Sequence, residues 1–291
     1  MAVGQRGTSL AEQLAQVLGS PVIDLRPMSG GCVAEAWRAR LADGRVAAVK
    51  RDDPDQSTLP LEGWMLDYLR RHSPLPVAEV YHAGPGLLVM AYIDHDGCGL
   101  DAQTQRHCAE VIAAGHAIRW DRFGLERDTL IGALHQPNSP ARRWIPFFRD
   151  QRLLYIAREA LKERRISDGL MRRIERLADR LEQYLDEPEH PSLLHGDLWG
   201  GNILTRNGRL VGLIDPAIYY GHPEIERAFS TLFHTFGKPF FDAYAALRRL
   251  SKDFFTIRRD LYNLYPLLVH VRLFGSSYLG GIDSTLTRLG C

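Results

Sequence analysis

Three short β-prone runs, residues 192–194, 203–205 and 210–214, interrupt a stretch of chain that otherwise reads as helix. Between the first two sits the polar loop His195-Gly196-Asp197-Leu198-Trp199-Gly200-Gly201-Asn202. Asn207-Gly208 supplies a tight hairpin turn, and the strand after it ends on Leu213-Ile214-Asp215-Pro216. Any fold of this chain must therefore hold Asp197, Asn202 and Asp215 at the ends of the same few strands.

The flanking patterns divide the chain near residue 93. Ser9-Leu10-Ala11-Glu12 is a capping box that opens a short helix with Leu10, Leu14, Val17 and Leu18 on one face, and Gly19 stops it. Residues 22–26, 32–40 and 45–50 read as strands, the last two joined by Ala42-Asp43-Gly44. Leu61, Met65, Tyr68 and Leu69 mark a helix that Pro74 and Pro76 terminate. Residues 78–81 and 87–93 form a second hairpin around Gly84-Pro85-Gly86. After Asp94-His95-Asp96-Gly97 the apolar spacing becomes helical, and residues 224–289 read as helix again. The expected architecture is α+β and two-lobed. Residues 1–93 form a small antiparallel-β lobe with one helix pair, and residues 94–291 a larger, mainly α lobe.

Asp, then Asn five positions on, then a second Asp after a hairpin is the arrangement of a kinase catalytic loop. A phosphoryl group in transfer carries diffuse negative charge, so a protein that moves one holds Mg²⁺ through hard oxygen donors and aims a hydroxyl at the γ-phosphate. Asn202 and Asp215 are the candidate metal ligands, and Asp197 is the candidate catalytic carboxylate. The bland reading, a turn Asp and a helix-capping Asn, would need three residues to fall into register by accident. His195 beside Asp197 invites a general-base role, but the expectation is that it packs and hydrogen-bonds the loop backbone.

ATP is the implied co-substrate. Lys50 ends the β-run Ala47-Ala48-Val49-Lys50, where its ammonium can reach the α- and β-phosphates, and Glu62 on the next helix can pair with it. Asp67, Asp52, Asp53 and Asp55 are alternative carboxylates; the helix register favours Glu62. Ser29-Gly30-Gly31 joins the first two strands where small residues let backbone N–H groups approach phosphates, and Cys32 after it is either a small buried hydrophobe or a redox-sensitive thiol. Met90-Ala91-Tyr92 precedes the connector, the position at which kinases bind adenine through backbone groups.

With 36 Lys plus Arg against 35 Asp plus Glu, the net charge of +1 argues against a nucleic-acid partner held by bulk charge. A 45% hydrophobic, 24% charged chain predicts a packed core. The four cysteines form no CxxC pair, which suits a reducing cytoplasm, and the lack of a long apolar run or visible signal segment predicts no membrane partner.

The residues resemble, over nearly the whole chain, the fructosamine-3-kinase (ketosamine kinase) family of the aminoglycoside-phosphotransferase-like, protein-kinase-like group. The resemblance is carried by Ser29 to Cys32, Phe123-Gly124, Ile131-Gly132, Gln136, Trp144, the stretch from Phe147 to Leu153, His195 to Asn202 with its Trp199, and Ile214 to His222 with Glu224. It implies ATP-dependent phosphorylation of the 3-hydroxyl of a ketosamine, small or protein-linked, in protein deglycation. It also implies Asp197 as catalytic carboxylate, Trp199 against the sugar-amine substrate with a loop anchor as the alternative, and Trp144 in an aromatic and basic substrate surface with Phe147, Phe148 and Arg149. A branch of the family carries Cys at the position of Cys32, associated with redox control, so the implied state is a monomer or a redox-linked dimer. Ala91 and Glu226 depart from the family's commoner acidic residue and Asp. An aminoglycoside or other small-molecule phosphotransferase and a nucleotide-binding pseudokinase are the competing readings.

Overall fold

The computed structural model describes residues 9–28, 34–97 and 99–291. The expectations for Ser29, Gly30, Gly31, Cys32 and Cys98 lie outside the described residues.

The N-lobe opens with α1 (Leu10–Leu18), capped as the sequence predicts: the Ser9 Oγ accepts from the Glu12 N–H at 3.3 Å, and Glu12 Oε2 accepts from the Ser9 N–H at 2.7 Å. Then follow β1 (Val22–Met28), β2 (Glu35–Leu41), β3 (Val46–Arg51), α2 (Leu59–His72), β4 (Val80–Gly84) and β5 (Leu87–Ala91). The strands make one antiparallel sheet in the order β1-β2-β3-β5-β4. Period-two alternation along β3 decides which face each residue serves. Ala47 and Val49 pack with Leu14 and Leu18 of α1, whereas Ala48 lies with Leu59, Leu66, Leu88 and Met90 on the face that α2 covers. Lys50, two residues after Ala48, shares the α2 face. Close approach of α2 to β4 depends on Gly63, where a Cβ would fall 2.4 Å from that of Ala83.

The chain crosses to the C-lobe beside a parallel bridge between Val77 and Leu213, and the Asp96 N–H bonds the Thr205 carbonyl at 3.0 Å. The C-lobe runs through α3 (Ala102–Gly115), the hairpin β6 (Thr129–Ile131) and β7 (Leu134–Gln136), then α4 (Trp144–Phe148), which continues through a π-helical stretch into α5 (Tyr155–Lys162), and α6 (Asp168–Ala178). Next come β8 (Ser192–Leu194), β9 (Ile203–Arg206), β10 (Arg209–Leu213) and β11 (Tyr219–Gly221), followed by α7 (Pro223–Leu232), α8 (Lys238–Leu247), α9 (Arg259–Phe274) and α10 (Leu279–Arg288). β9 pairs with β10 and β8 with β11.

Two features correct the sequence reading. The C-lobe holds β6–β7 and β11 besides the predicted β interlude, because strands of three residues carry almost no alternation signal and β11 pairs with a strand 27 residues earlier in the chain. Trp144 is not a surface residue: it is 0% exposed, stacks on Phe148 at a centroid distance of 5.7 Å, and donates its indole N–H to Tyr262 Oη at 2.9 Å. Phe147 and Phe148 are equally buried, so the proposed aromatic substrate surface is core. Among the described residues no helix is long and apolar enough to cross a membrane.

Candidate active site

Lys50, Glu62, Asp197, Trp199, Asn202 and Asp215 line one cleft of about 590 Å³ between the lobes. The Lys50 Nζ lies 2.7 Å from Glu62 Oε1 and also bonds the Asp215 carboxylate, so of the candidate carboxylates it is Glu62, in the first turn of α2, that meets the lysine. Burial opposes charge on Lys50, but the carboxylates of Glu62 and Asp215 outweigh it and hold the ammonium above its ordinary pKa. One cation thereby ties the α2 face of the N-lobe sheet to the strand-end carboxylate of the C-lobe.

The catalytic-loop candidate is fixed from behind by a buried polar chain. Gly196 N–H donates to Glu226 Oε1 at 2.6 Å, and Glu226 Oε2 lies 2.7 Å from His116 Nε2. His116 Nδ1 meets Tyr244 Oη at 2.7 Å. Burial lowers the pKa of His116, and the bond to His116 overcomes burial to lower that of Glu226. The arrangement is therefore Tyr244 O–H to Nδ1, and Nε2–H to a carboxylate. Gly196 has φ +87°, and a Cβ there would fall 2.0 Å from the Ala217 carbonyl oxygen, so the turn admits only glycine. His195 is fully buried, its Nδ1 accepts from the Asp197 N–H at 3.4 Å, and burial keeps the ring neutral. It shapes the loop, as the sequence reading expects.

Asp197 sits at the cleft floor. Burial pushes its carboxyl up to about 7, opposed by the bond from Asn202 and assisted by the charge of Asp215. Asn202 donates its Nδ2 hydrogens to the Asp197 backbone oxygen and to Oδ2, both at 2.9 Å, which orients the carboxylate and leaves Oδ1 of Asp197 for another partner. With Nδ2 so engaged, the Asn202 Oδ1 and the Asp215 carboxylate form a hard-oxygen donor pair. Asp215 holds φ +53°, a conformation uncommon outside glycine. One carboxylate and one amide oxygen are few ligands for an all-protein metal site, but they fit Mg²⁺ that completes its shell with phosphate and water.

Trp199 lies over Gly201 and meets Phe233 edge-on at 6.0 Å, while the Gly200 N–H bonds Thr235 Oγ1 at 2.8 Å. The ring both anchors the loop and lines the cleft. Sequence reasoning missed the aromatic wall that adjoins it. Phe229 of α7, Phe233 at its C-cap and His270 of α9 line the cleft with Phe274 and Tyr278, and His270 lies 4.9 Å from Phe233 and 5.0 Å from Tyr278. The aromatic residues at 229 and 233, and at 270, 274 and 278, repeat at i, i+4, which is the one trace this wall leaves in the sequence.

The proposed adenine residues behave differently. Met90, Ala91 and Tyr92 do not line this cleft, the Ala91 N–H donates to the Glu79 carbonyl at 2.8 Å and the Tyr92 N–H to that of Val46 at 3.1 Å. Their amides are held by the sheet. Ile93 is the next residue, and its N–H has no backbone partner among the described residues.

A sheet-and-helix lobe packed over a helical lobe, with a lysine–glutamate pair above an Asp/Asn/Asp loop, defines a protein-kinase-like phosphotransferase. The profile of the family described as "Fructosamine kinase" matches residues 7–290, and the chain belongs to that family. The probable ketoamine kinase YniA of Escherichia coli K12 is 34% identical over 97% of this chain and 98% of its own length. The chloroplastic protein-ribulosamine 3-kinase of Arabidopsis thaliana is 36% identical over 67% of this chain and 59% of its own. The crystal structure of a Thermobifida fusca protein assigned to fructosamine-3-kinase superposes with a TM-score of 0.85 at 30% identity, covering 98% of this chain and 99% of that one. The aminoglycoside phosphotransferase APH(4)-Ia, in a ternary complex with AMP-PNP and hygromycin B, gives 0.67 at 21% identity over 98% and 99% of the two chains, a likeness of fold. The chain is an ATP-dependent kinase.

Proposed function

We propose that this kinase phosphorylates the sugar 3-hydroxyl of ketosamines, fructosamine or ribulosamine adducts carried by small amines or by proteins, and so serves deglycation in the cytoplasm. The observation that carries the reading is the pairing of Asp197, a buried carboxylate oriented by Asn202, with an aromatic wall in the same cleft. A protonated secondary amine is attracted to aromatic faces by roughly 0.5 to 2 kcal/mol, which suits Trp199 and Phe233 as the amine side of the pocket.

When bound, Mg·ATP supplies the phosphoryl group and neutralises its developing charge. Lys50, held by Glu62, would bind the α- and β-phosphates, and Asn202 Oδ1 and Asp215 would hold the metal. Asp197 Oδ1 accepts the proton of the sugar hydroxyl while Asn202 keeps Oδ2 in place. Glu226 keeps the loop backbone from shifting as charge moves. For adenine, the Ile93 amide, which has no backbone partner among the described residues, is the better donor than those of Ala91 and Tyr92. We divide the work at residues 93 and 94, with nucleotide on the N-lobe side and catalytic loop, metal and substrate on the C-lobe side. Phosphate contacts by Ser29, Gly30 and Gly31, and redox control of a monomer or linked dimer through Cys32, are proposed on the sequence alone.

The test is an ATP-consumption screen across ketosamine, aminoglycoside and choline acceptors, with phosphate position read by NMR. The expected result is turnover of ketosamines with phosphate on O3. Turnover confined to aminoglycosides would overturn the reading.

A further inference from the structure

Helix α7 has two working faces. Ile225, Glu226 and Phe229 look into the catalytic cleft, while Glu224 and Arg227, on the opposite side of the same helix, border a second cavity of about 690 Å³. That cavity gathers residues from four separate segments: Arg119 after α3, His190 and Ser192 leading into β8, Arg227 of α7, and Tyr244 and Arg248 of α8 and its C-cap.

The charges there are unequally satisfied. The carboxylates are held within the protein: Glu224 Oε1 accepts the Ser251 N–H at 3.1 Å while its Oε2, without a hydrogen bond, lies 3.6 Å from Arg258, Asp186 bonds Arg258, and Glu187 accepts the amides of Trp144 and Ile145 at 2.5 and 3.2 Å. Glu189 is 83% exposed and stands 4.0 Å from His190, and Asp253 is also exposed. Arg119, Arg227 and Arg248, by contrast, form no ion pair among the described residues. Arg227 is 2% exposed; its Nε donates to the Pro223 carbonyl at 3.2 Å, its guanidinium lies over the Tyr244 ring at 4.5 Å, and Nη1 has no partner. The fully buried Ser192 hydroxyl and His190 Nδ1 are also without hydrogen-bond partners. Arg248 Nη2 lies 3.3 Å from His190 Nε2, which closes the group. A buried guanidinium that keeps a free N–H and makes no ion pair, with the Glu224 carboxylate acting on it only from beyond ion-pair distance, is a costly arrangement for a protein to keep as structure alone.

We propose that this end of the cavity binds a small oxyanion, the phosphate group of inorganic phosphate or of a phosphorylated small molecule. Arginines suit the work because the planar guanidinium presents paired N–H groups to two phosphate oxygens. Ser192 and His190 add neutral donors. A bound anion ties α3, β8, α7 and α8 together from the side of α7 remote from catalysis, so it binds independently of the acceptor that the kinase uses.

The experiment uses the full chain carrying Lys50→Met, which removes the phosphate-binding lysine of the cleft, and titrates inorganic phosphate and glycerol 3-phosphate by calorimetry, with glycerol as control. Saturable millimolar or tighter binding is expected, with a raised Tm. Adding Arg248→Ala or the exposed Arg119→Ala should weaken it at least tenfold, and Arg248→Lys should restore part of it. Tighter binding of glycerol 3-phosphate identifies an ester ligand; tighter binding of inorganic phosphate identifies the free ion. In the otherwise native enzyme, Arg119→Ala leaves kinase turnover in phosphate-free buffer unchanged, which separates this site from the kinase reading. No saturable binding of either probe, or binding indifferent to both arginine substitutions in folded protein, would overturn the proposal.

Discussion

Asp197 is the residue on which the chemistry converges, and its environment makes it pH-sensitive. The folded chain holds its proton up to about pH 7, whereas an unfolded chain releases it near pH 4. Between those values folding is coupled to proton uptake, so the group's contribution to stability declines as pH rises from about 4 to about 7. As a base it must be ionised, so kcat/KM should climb with pH on a limb centred near 7. Asp197→Asn carries no charge to bury and should melt above wild type at pH 8, the gap shrinking as pH falls toward 5. Thermal melts and a pH–rate profile check both; a flat profile from pH 5.5 to 8 would count against the assignment. At this scale the sequence was legible where spacing encodes chemistry: Lys50, Glu62, Asp197, Asn202 and Asp215 meet in one cleft. It was misleading at Trp144, because an indole in an aromatic run looks the same on a surface as in a core until its neighbours are known.

Among the elements, α7 does the most. It turns Glu226 onto the catalytic-loop amide, Phe229 and the capping Phe233 onto the cleft and Arg227 away from it. Glu226→Ala would leave the Gly196 N–H and the His116 Nε2–H without their buried acceptor. Each buried donor left without its acceptor costs about 1–3 kcal/mol, and chemical denaturation should read a loss of that order together with a lower kcat. Glu226→Gln keeps an oxygen for Gly196, and His116 can change tautomer to meet the new amide, so its loss should be less than half as large. Equal losses in the two variants would contradict the anchoring role. The capping box of α1, the β-runs of the sheet and the apolar face of α2 were readable because they are local and periodic. β11 and β6–β7 were not, since three-residue strands take their identity from partners elsewhere in the chain.

For the whole molecule, lobe composition foretold the architecture, while the aromatic wall of α7 and α9 emerged only from packing two helices far apart in sequence. The Lys50–Asp215 contact shows how little separates the lobes: a strand-end lysine of one reaches the hairpin-end carboxylate of the other. The central claim is that this interlobe cleft transfers phosphate to a ketosamine with Asp197 as base. The most direct measurement compares ketosamine turnover and ATP-analogue affinity in wild type and Asp197→Ala. Turnover should fall by at least about a hundredfold, the ordinary scale for loss of a general base, while nucleotide affinity stays within a few-fold of wild type. Near-native turnover in that variant would contradict the account.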